Sequence, residues 1–187
     1  KMDWQKETIK KDDEIRLNAI NELKELLGVE KVSRMESFDN SHLFGTFYVG
    51  GMVVFNDFLP QKDDYRKFKI STEVKDDLSA MKEVLYRRYF KVLMENLERP
   101  DLIVMDGGQT QISVAKEIIE SLGLNIPIIG LVKDKSHKTS HIMNEKYELL
   151  DVKKDSNLFL FLTKIQEEVH RYAITYHRNI KSKGALS

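Results

Sequence analysis

The 187-residue chain contains no cysteine. Disulfides and thiolate metal sites are therefore excluded, and any metal must be held by Asp, Glu, His or carbonyl oxygens. There is no excess of either charge: thirty basic and thirty acidic residues cancel. Net charge thus points to no partner, and nucleic-acid binding would require basic charge gathered locally. The chain also lacks any apolar run approaching the roughly eighteen residues of a membrane span, and its first residues are polar, so neither a span nor a signal peptide is expected. On this ground an intracellular, cytoplasmic protein is expected. Internal repeats and low-complexity linkers are absent, which favours one domain or one domain with an appendage. The start at Lys1-Met2-Asp3 and the end at Ala185-Leu186-Ser187 read as those of a piece of something longer.

What is present is ordinary for a globular protein, with 41% hydrophobic and 32% charged residues. The chain is organised around Met35-Glu36-Ser37-Phe38-Asp39-Asn40-Ser41-His42. Val32 to Asp39 reads as a strand with Phe38 facing a core. Asp and Asn are poor strand residues, so their place at its end is either a turn or a carboxylate presented at a sheet edge. A second strand, Asp101 to Asp106, ends in the same way before Gly107-Gly108. Two carboxylates ending two core strands suggest one site.

Residues 1 to 12 carry little periodicity and read as a frayed lead-in. From about Glu14 the apolar spacing fits a helix that Gly28 stops. Thr46 to Phe55 reads as a second strand, Phe58 to Gln61 as a turn and Tyr65 to Ile70 as a third strand, together an antiparallel meander. Asp76-Asp77-Leu78 opens a helix with acids in its first turn. A buried strand ending at Asp106, a helix over about Gln109 to Leu122 and an apolar strand from Ile126 to Val132 continue in a parallel βαβ pattern. Lys133 to Lys154 is polar, with His137 and His141 in a loop or hairpin and a short strand at Tyr147 to Leu150. A long amphipathic helix follows from near Ser156.

A three-strand antiparallel meander feeding parallel βαβ strands, in a mixed sheet flanked by helices, is the layout of the ribonuclease H-like fold. There the two acid-tipped strands lie side by side, so Asp39 and Asp106 could share a divalent cation, Mg²⁺ or Mn²⁺, which prefers oxygen ligands and neutralises paired carboxylates. A third ligand is expected from the last helix, where Glu167, Glu168, His170 and His177 are the candidates.

Six separated words are more specific. They are Phe38-Asp39-Asn40-Ser41-His42, the run from Asp63 to Phe68, the run from Asp76 to Met81, Arg87-Arg88-Tyr89, Pro100 to Gly108, and Glu168 to Arg178. In this order they resemble the C-terminal endonuclease domain of UvrC, the nuclease subunit of bacterial nucleotide excision repair, from about Val32 to Lys183. The resemblance implies residues 1–31 as lead-in and helix and 32–184 as a ribonuclease H-like endonuclease domain. It implies Asp39, Asp106 and His170 as metal ligands for incision on the 5′ side of a lesion, with Asp77 in a supporting role. It further implies lesion-bearing double-stranded DNA and a UvrB-type damage-recognition protein as partners. The family's second nuclease domain and helix-hairpin-helix elements are not in this sequence. Asn40 stands where the family often has Ile, Lys75 and Leu78 where it has Gly and Tyr, and Gln109-Thr110 where it usually has Lys-Gly.

Other features admit plainer readings. Ser41 and His42 lack a second acid and a nucleophile elbow, which argues against a hydrolytic triad. His137 and His141 read as solvated loop histidines. Arg66, Lys67, Lys69, Arg87, Arg88, Arg171, Arg178, Lys181 and Lys183 are ordinary surface charge unless a site lies beside them. Beside one, Arg66, Lys67, Arg87, Arg88, Arg178 and Lys181 become candidate phosphate contacts. Two alternatives remain open. One is another nuclease of this fold, such as a repair endonuclease or transposase, using Glu167 or Glu168 in place of His170. The other is a docking module that no longer cuts.

Overall fold

The computed structural model describes the backbone of residues 2–42, 47–71, 73–74 and 76–186, and the side chains of residues 4–42, 47–71, 73–74 and 76–175. His177, Arg178, Lys181 and Lys183 therefore lie outside the described side chains, as do Gly45 and Lys75.

Helix α1 (Met2–Leu27) starts about three turns before Glu14. Its first part, rich in the good helix formers Glu, Lys and Gln, is helical without an apolar stripe, and Trp4 there is 70% exposed. Ala19, Ile20 and Leu23 are buried in the core, with Leu26 and Leu27 packed against it. Gly28, at φ 65°, closes the helix as expected. Val29 N donates to Lys24 O and Gly28 N to Glu25 O, the paired bonds of a Schellman cap.

Strand β1 (Arg34–His42) is central. It runs antiparallel to β2 (Tyr48–Asn56), from Arg34 opposite Asn56 to His42 opposite Tyr48. Pairing with β2 thus carries it three residues past Asp39. On its other side it runs parallel to β5 (Leu102–Asp106), with Phe38 opposite Met105. The β2 edge is covered by β3 (Leu59–Pro60) and β4 (Arg66–Lys69), separated by a 3₁₀ turn at Lys62–Asp64. The tight turn before β3 lies at Asp57 and Phe58, both at positive φ, rather than at Phe58 to Gln61. Phe58 is held there by its ring, stacked 4.9 Å from Phe161. Beyond β5 come β6 (Ile128–Lys133), parallel to it, and β7 (Thr139–Met143), antiparallel to β6. The sheet order is β3-β2-β1-β5-β6-β7, with β4 also on β2. The strand expected at Tyr147 to Leu150 amounts to one bridge between Leu149 and Met143.

Helices cover both faces, which is why β5 reads as continuous apolar residues. Helices α2 (Asp77–Met94) and α3 (Gln109–Ser121) pack on one face with Phe38, Met52, Ile103 and Met105. Helices α1 and α4 (Asn157–Leu186) pack on the other with Met35, Val53, Leu102 and Val104. Alternation along β1 and β5 therefore sends Asp39 and Asp106 to the α4 face, at the end where both strands stop facing the core.

Candidate active site

Three elements meet at that end of the sheet. Adjacent parallel strands bring Asp39 and Asp106 together, and α4 brings His170, whose Nδ1 lies 3.0 Å from Asp39 Oδ2. The approach of α4 depends on Gly51, which pairs with Asp39 across the sheet. A Cβ on Gly51 would lie 3.1 Å from Ala173 Cα and 3.2 Å from Tyr172 Cδ2. Glycine there lets the helix backbone close on β2, which sets His170 over β1. Gly107 serves the same end differently. Its φ of 140° turns the chain from β5 into α3, and a Cβ there would sit 2.3 Å from Gln111 Oε1, the atom that accepts from Gly108 N.

Each acid is held. Asp39 Oδ1 accepts from Asn40 N at 2.9 Å. Burial, and then the charge of Asp106, push the Asp39 carboxyl above its ordinary value, while His170 and the Asn40 N–H oppose them. Lys133, ending β6, places Nζ 3.0 Å from Asp106 Oδ1 and 3.1 Å from Oδ2. Gln166 Nε2 also donates to Asp106 Oδ1, and Gln166 Oε1 accepts from Thr139 Oγ1 on β7. Asp77 faces the same cleft from the start of α2, where Asp76 caps the helix by accepting from Ser79 N at 2.8 Å. The Tyr48 hydroxyl bonds the Asp77 side chain, and burial with that carboxylate raises the phenol.

The other sequence candidates separate. Glu167 lines a cleft of about 440 Å³ with Asp106, Lys133, His137, Gln166 and His170. Glu168 points away: it accepts from Tyr65 Oη at 2.8 Å and from Arg171. Arg171 holds that carboxyl below its ordinary value, against burial. Lys67 pairs with Gly51 and so lies in the row that contains Asp39, its ammonium 4.8 Å from the centre of the Tyr172 ring. Arg66 is exposed, and its Nη1 donates to Tyr65 O at 2.8 Å. Arg87 donates to Lys69 O at 2.6 Å near the outer edge of β4. Arg88 is not offered to a ligand at the surface. It is 6% exposed and turns inward to Glu36, which also accepts from Arg34 Nε at 3.0 Å and from Tyr89 Oη at 2.8 Å. His42 stacks on Tyr48, 4.2 Å between ring centres.

Lys133 and Gln166 are the site residues that the sequence reading passed over, and His137, read there as a solvated loop histidine, also lines the cleft. The first two carried a signal. Lys133 ends an apolar strand as Asp106 does, and Gln166 lies one helical turn before His170, on the same face.

The donor types suit a hard divalent cation: two close carboxylates and a neighbouring imidazole. Among the described residues, no three Asp, Glu or His side chains are already gathered as a ligand shell. Lys133 is seated on both oxygens of Asp106. The residues fit a cation.

The family model described as the UvrC RNase H endonuclease domain matches residues 24–174. UvrABC system protein C of Streptococcus uberis is 47% identical over 182 residues, covering 96% of this chain and 31% of that protein. The protein of the same name from Streptococcus mutans serotype c is 46% identical over the same shares. The chain thus spans about a third of the length of these relatives. Among solved structures, human ENDOV aligns with 82% of this chain and 86% of its own at 11% identity and a TM-score of 0.44. Endonuclease V of Streptomyces avermitilis aligns with 91% and 94% at 14% identity and a TM-score of 0.37. Identity near one residue in two, sustained over almost the whole chain together with the domain match, establishes that this chain belongs to the UvrC family and carries its RNase H endonuclease domain.

Proposed function

We propose that this chain is the metal-dependent module that makes the 5′ incision at a lesion in nucleotide excision repair, hydrolysing one phosphodiester of double-stranded DNA. The observation that carries this reading is the convergence of Asp39 and Asp106 from neighbouring parallel strands beneath His170. Asp39, Asp106 and His170 would hold Mn²⁺ or Mg²⁺, with Asp77 in support. When bound, the cation polarises the phosphodiester and activates the attacking water. Asp39 fixes the His170 ring: with the proton on Nδ1 for the carboxylate, Nε2 keeps its lone pair. Gln166, backed by Thr139, holds the plane of the Asp106 carboxylate. Arg66, Lys67 and Arg87 are candidates to contact the DNA backbone, with Arg178 and Lys181 beyond the described side chains. Residues 32–184 form the catalytic unit, and α1 braces its α4 face. A UvrB-type protein would deliver the damaged duplex, in a bacterial cytoplasm.

The test is the melting temperature of the chain with and without Mn²⁺, because only the folded state assembles the site. The reading expects a rise that Asp39→Ala and Asp106→Ala abolish. A rise that survives both substitutions places the metal elsewhere and overturns it.

A further inference from the structure

The β6–β7 hairpin puts a cation into the site by design of the backbone. Asp106 pairs with Leu131 across the sheet, so Lys133, two residues on, projects from the same face past the end of β5. The register with β7 shifts between Val132 and Lys133, a bulge of the kind that re-aims a side chain at the end of a ladder. The turn that follows is tightly tied. Asp134 Oδ1 accepts from Ser136 N at 2.8 Å, Ser136 Oγ at 2.6 Å and Lys138 N at 3.1 Å. Thr139, opposite Lys133, steadies Gln166, which donates to the same carboxylate as Lys133.

Asp106 therefore has a second donor that keeps it hydrogen-bonded when the ammonium leaves. An ammonium carries three N–H donors, and Asp106 takes at most two of them. Lys133 lines a cleft shared with His137, Glu167 and His170.

We propose that Lys133 is a further catalytic residue, an ammonium that rests on Asp106 and, when a divalent cation takes that carboxylate, contacts a non-bridging oxygen of the scissile phosphate. The inference rests on the metal-dependent reading above and adds to it a competition: Lys133 and a divalent cation claim the same two oxygens of Asp106. Once displaced, the ammonium faces the charge that builds on the phosphate as the bond to water forms, where a positioned positive group lowers the barrier.

The test titrates Mn²⁺ alone into this chain by calorimetry. It compares the parent, Lys133→Met and Lys133→Arg, and measures incision of a lesion-bearing duplex by the full-length protein carrying each substitution. Lys133→Met should bind Mn²⁺ roughly fivefold or more tightly, since the coupling between the two cations is lost, yet incise on the order of a hundredfold more slowly. Lys133→Arg should keep the parent's Mn²⁺ affinity and recover part of the incision. Mn²⁺ affinity in Lys133→Met that is equal to or weaker than the parent's overturns the inference, as does undiminished incision, while the metal reading stands. A parent chain that binds no Mn²⁺ refutes the metal reading and the inference together.

Discussion

Gly51 and Ala173 face one another across the contact between β2 and α4, and the missing side chain on Gly51 sets how closely that helix lies. A Cβ there would meet Ala173 Cα at 3.1 Å and its Cβ at 3.2 Å, so backbone, not a flexible side-chain end, would have to move. Because His170 lies one turn before Ala173, any outward shift of α4 lengthens the His170–Asp39 contact.

Gly51→Ala should therefore cost about 1–3 kcal/mol of stability by overpacking. It should also reduce incision further than the loss of folded protein explains. Denaturant melts alongside incision rates check this. A variant as stable and as active as the parent would mean that α4 has room to spare.

His170→Ala should leave the fold largely intact, because Val169 and Ala173 beside it are fully buried and hold the helix. Incision should fall on the order of a hundredfold or more. His170→Asp should restore part of the Mg²⁺-dependent activity, since an oxygen donor recreates a hard site. Rates in Mg²⁺ and Mn²⁺ for both variants decide it, and full activity in His170→Ala moves the third ligand elsewhere.

Much of this site was legible before any coordinates. The apolar run ending in Asp106 could be read because a strand buried on both faces lacks alternation until it leaves the core. What could not be read is tertiary. Arg88 sits in the Val84-Arg88-Val92 stripe, yet its inward turn needs Glu36, an acid fifty-two residues away on another element. Lys133 looks like the start of a polar loop until β7 folds back on β6. The first turns of α1 have no packing face, so periodicity was blind to them.

Asp39 should make the metal-free protein less stable at neutral pH. Burial and Asp106 raise its folded value above the ordinary 3.8, so the unfolded chain gives up the proton first. The contribution of this group is full below that ordinary value and is lost as pH rises through the folded one. In chelator, Asp39→Asn should melt above the parent at pH 7, with the gap closing as pH is lowered toward 3.8. A constant gap across that range would contradict the shift.

Glu36 is the anion that makes Arg34 and Arg88 tolerable in the core, accepting from both and from Tyr89. Glu36→Gln leaves Arg88 without its buried countercharge, while Arg34 keeps Asp64 at 2.9 Å, and should cost about 3–5 kcal/mol. The denaturant midpoint should fall with an unchanged slope. A midpoint equal to the parent's would show that Arg88 finds another acid.

The most direct measurement is an anomalous difference map from crystals of this chain soaked in Mn²⁺. The account predicts a peak within coordination distance of both Asp39 and Asp106, on the side facing His170, with Lys133 Nζ withdrawn from Asp106. A peak bound to other residues, or saturating Mn²⁺ that leaves Lys133 seated on Asp106 and no peak between the two aspartates, would contradict it.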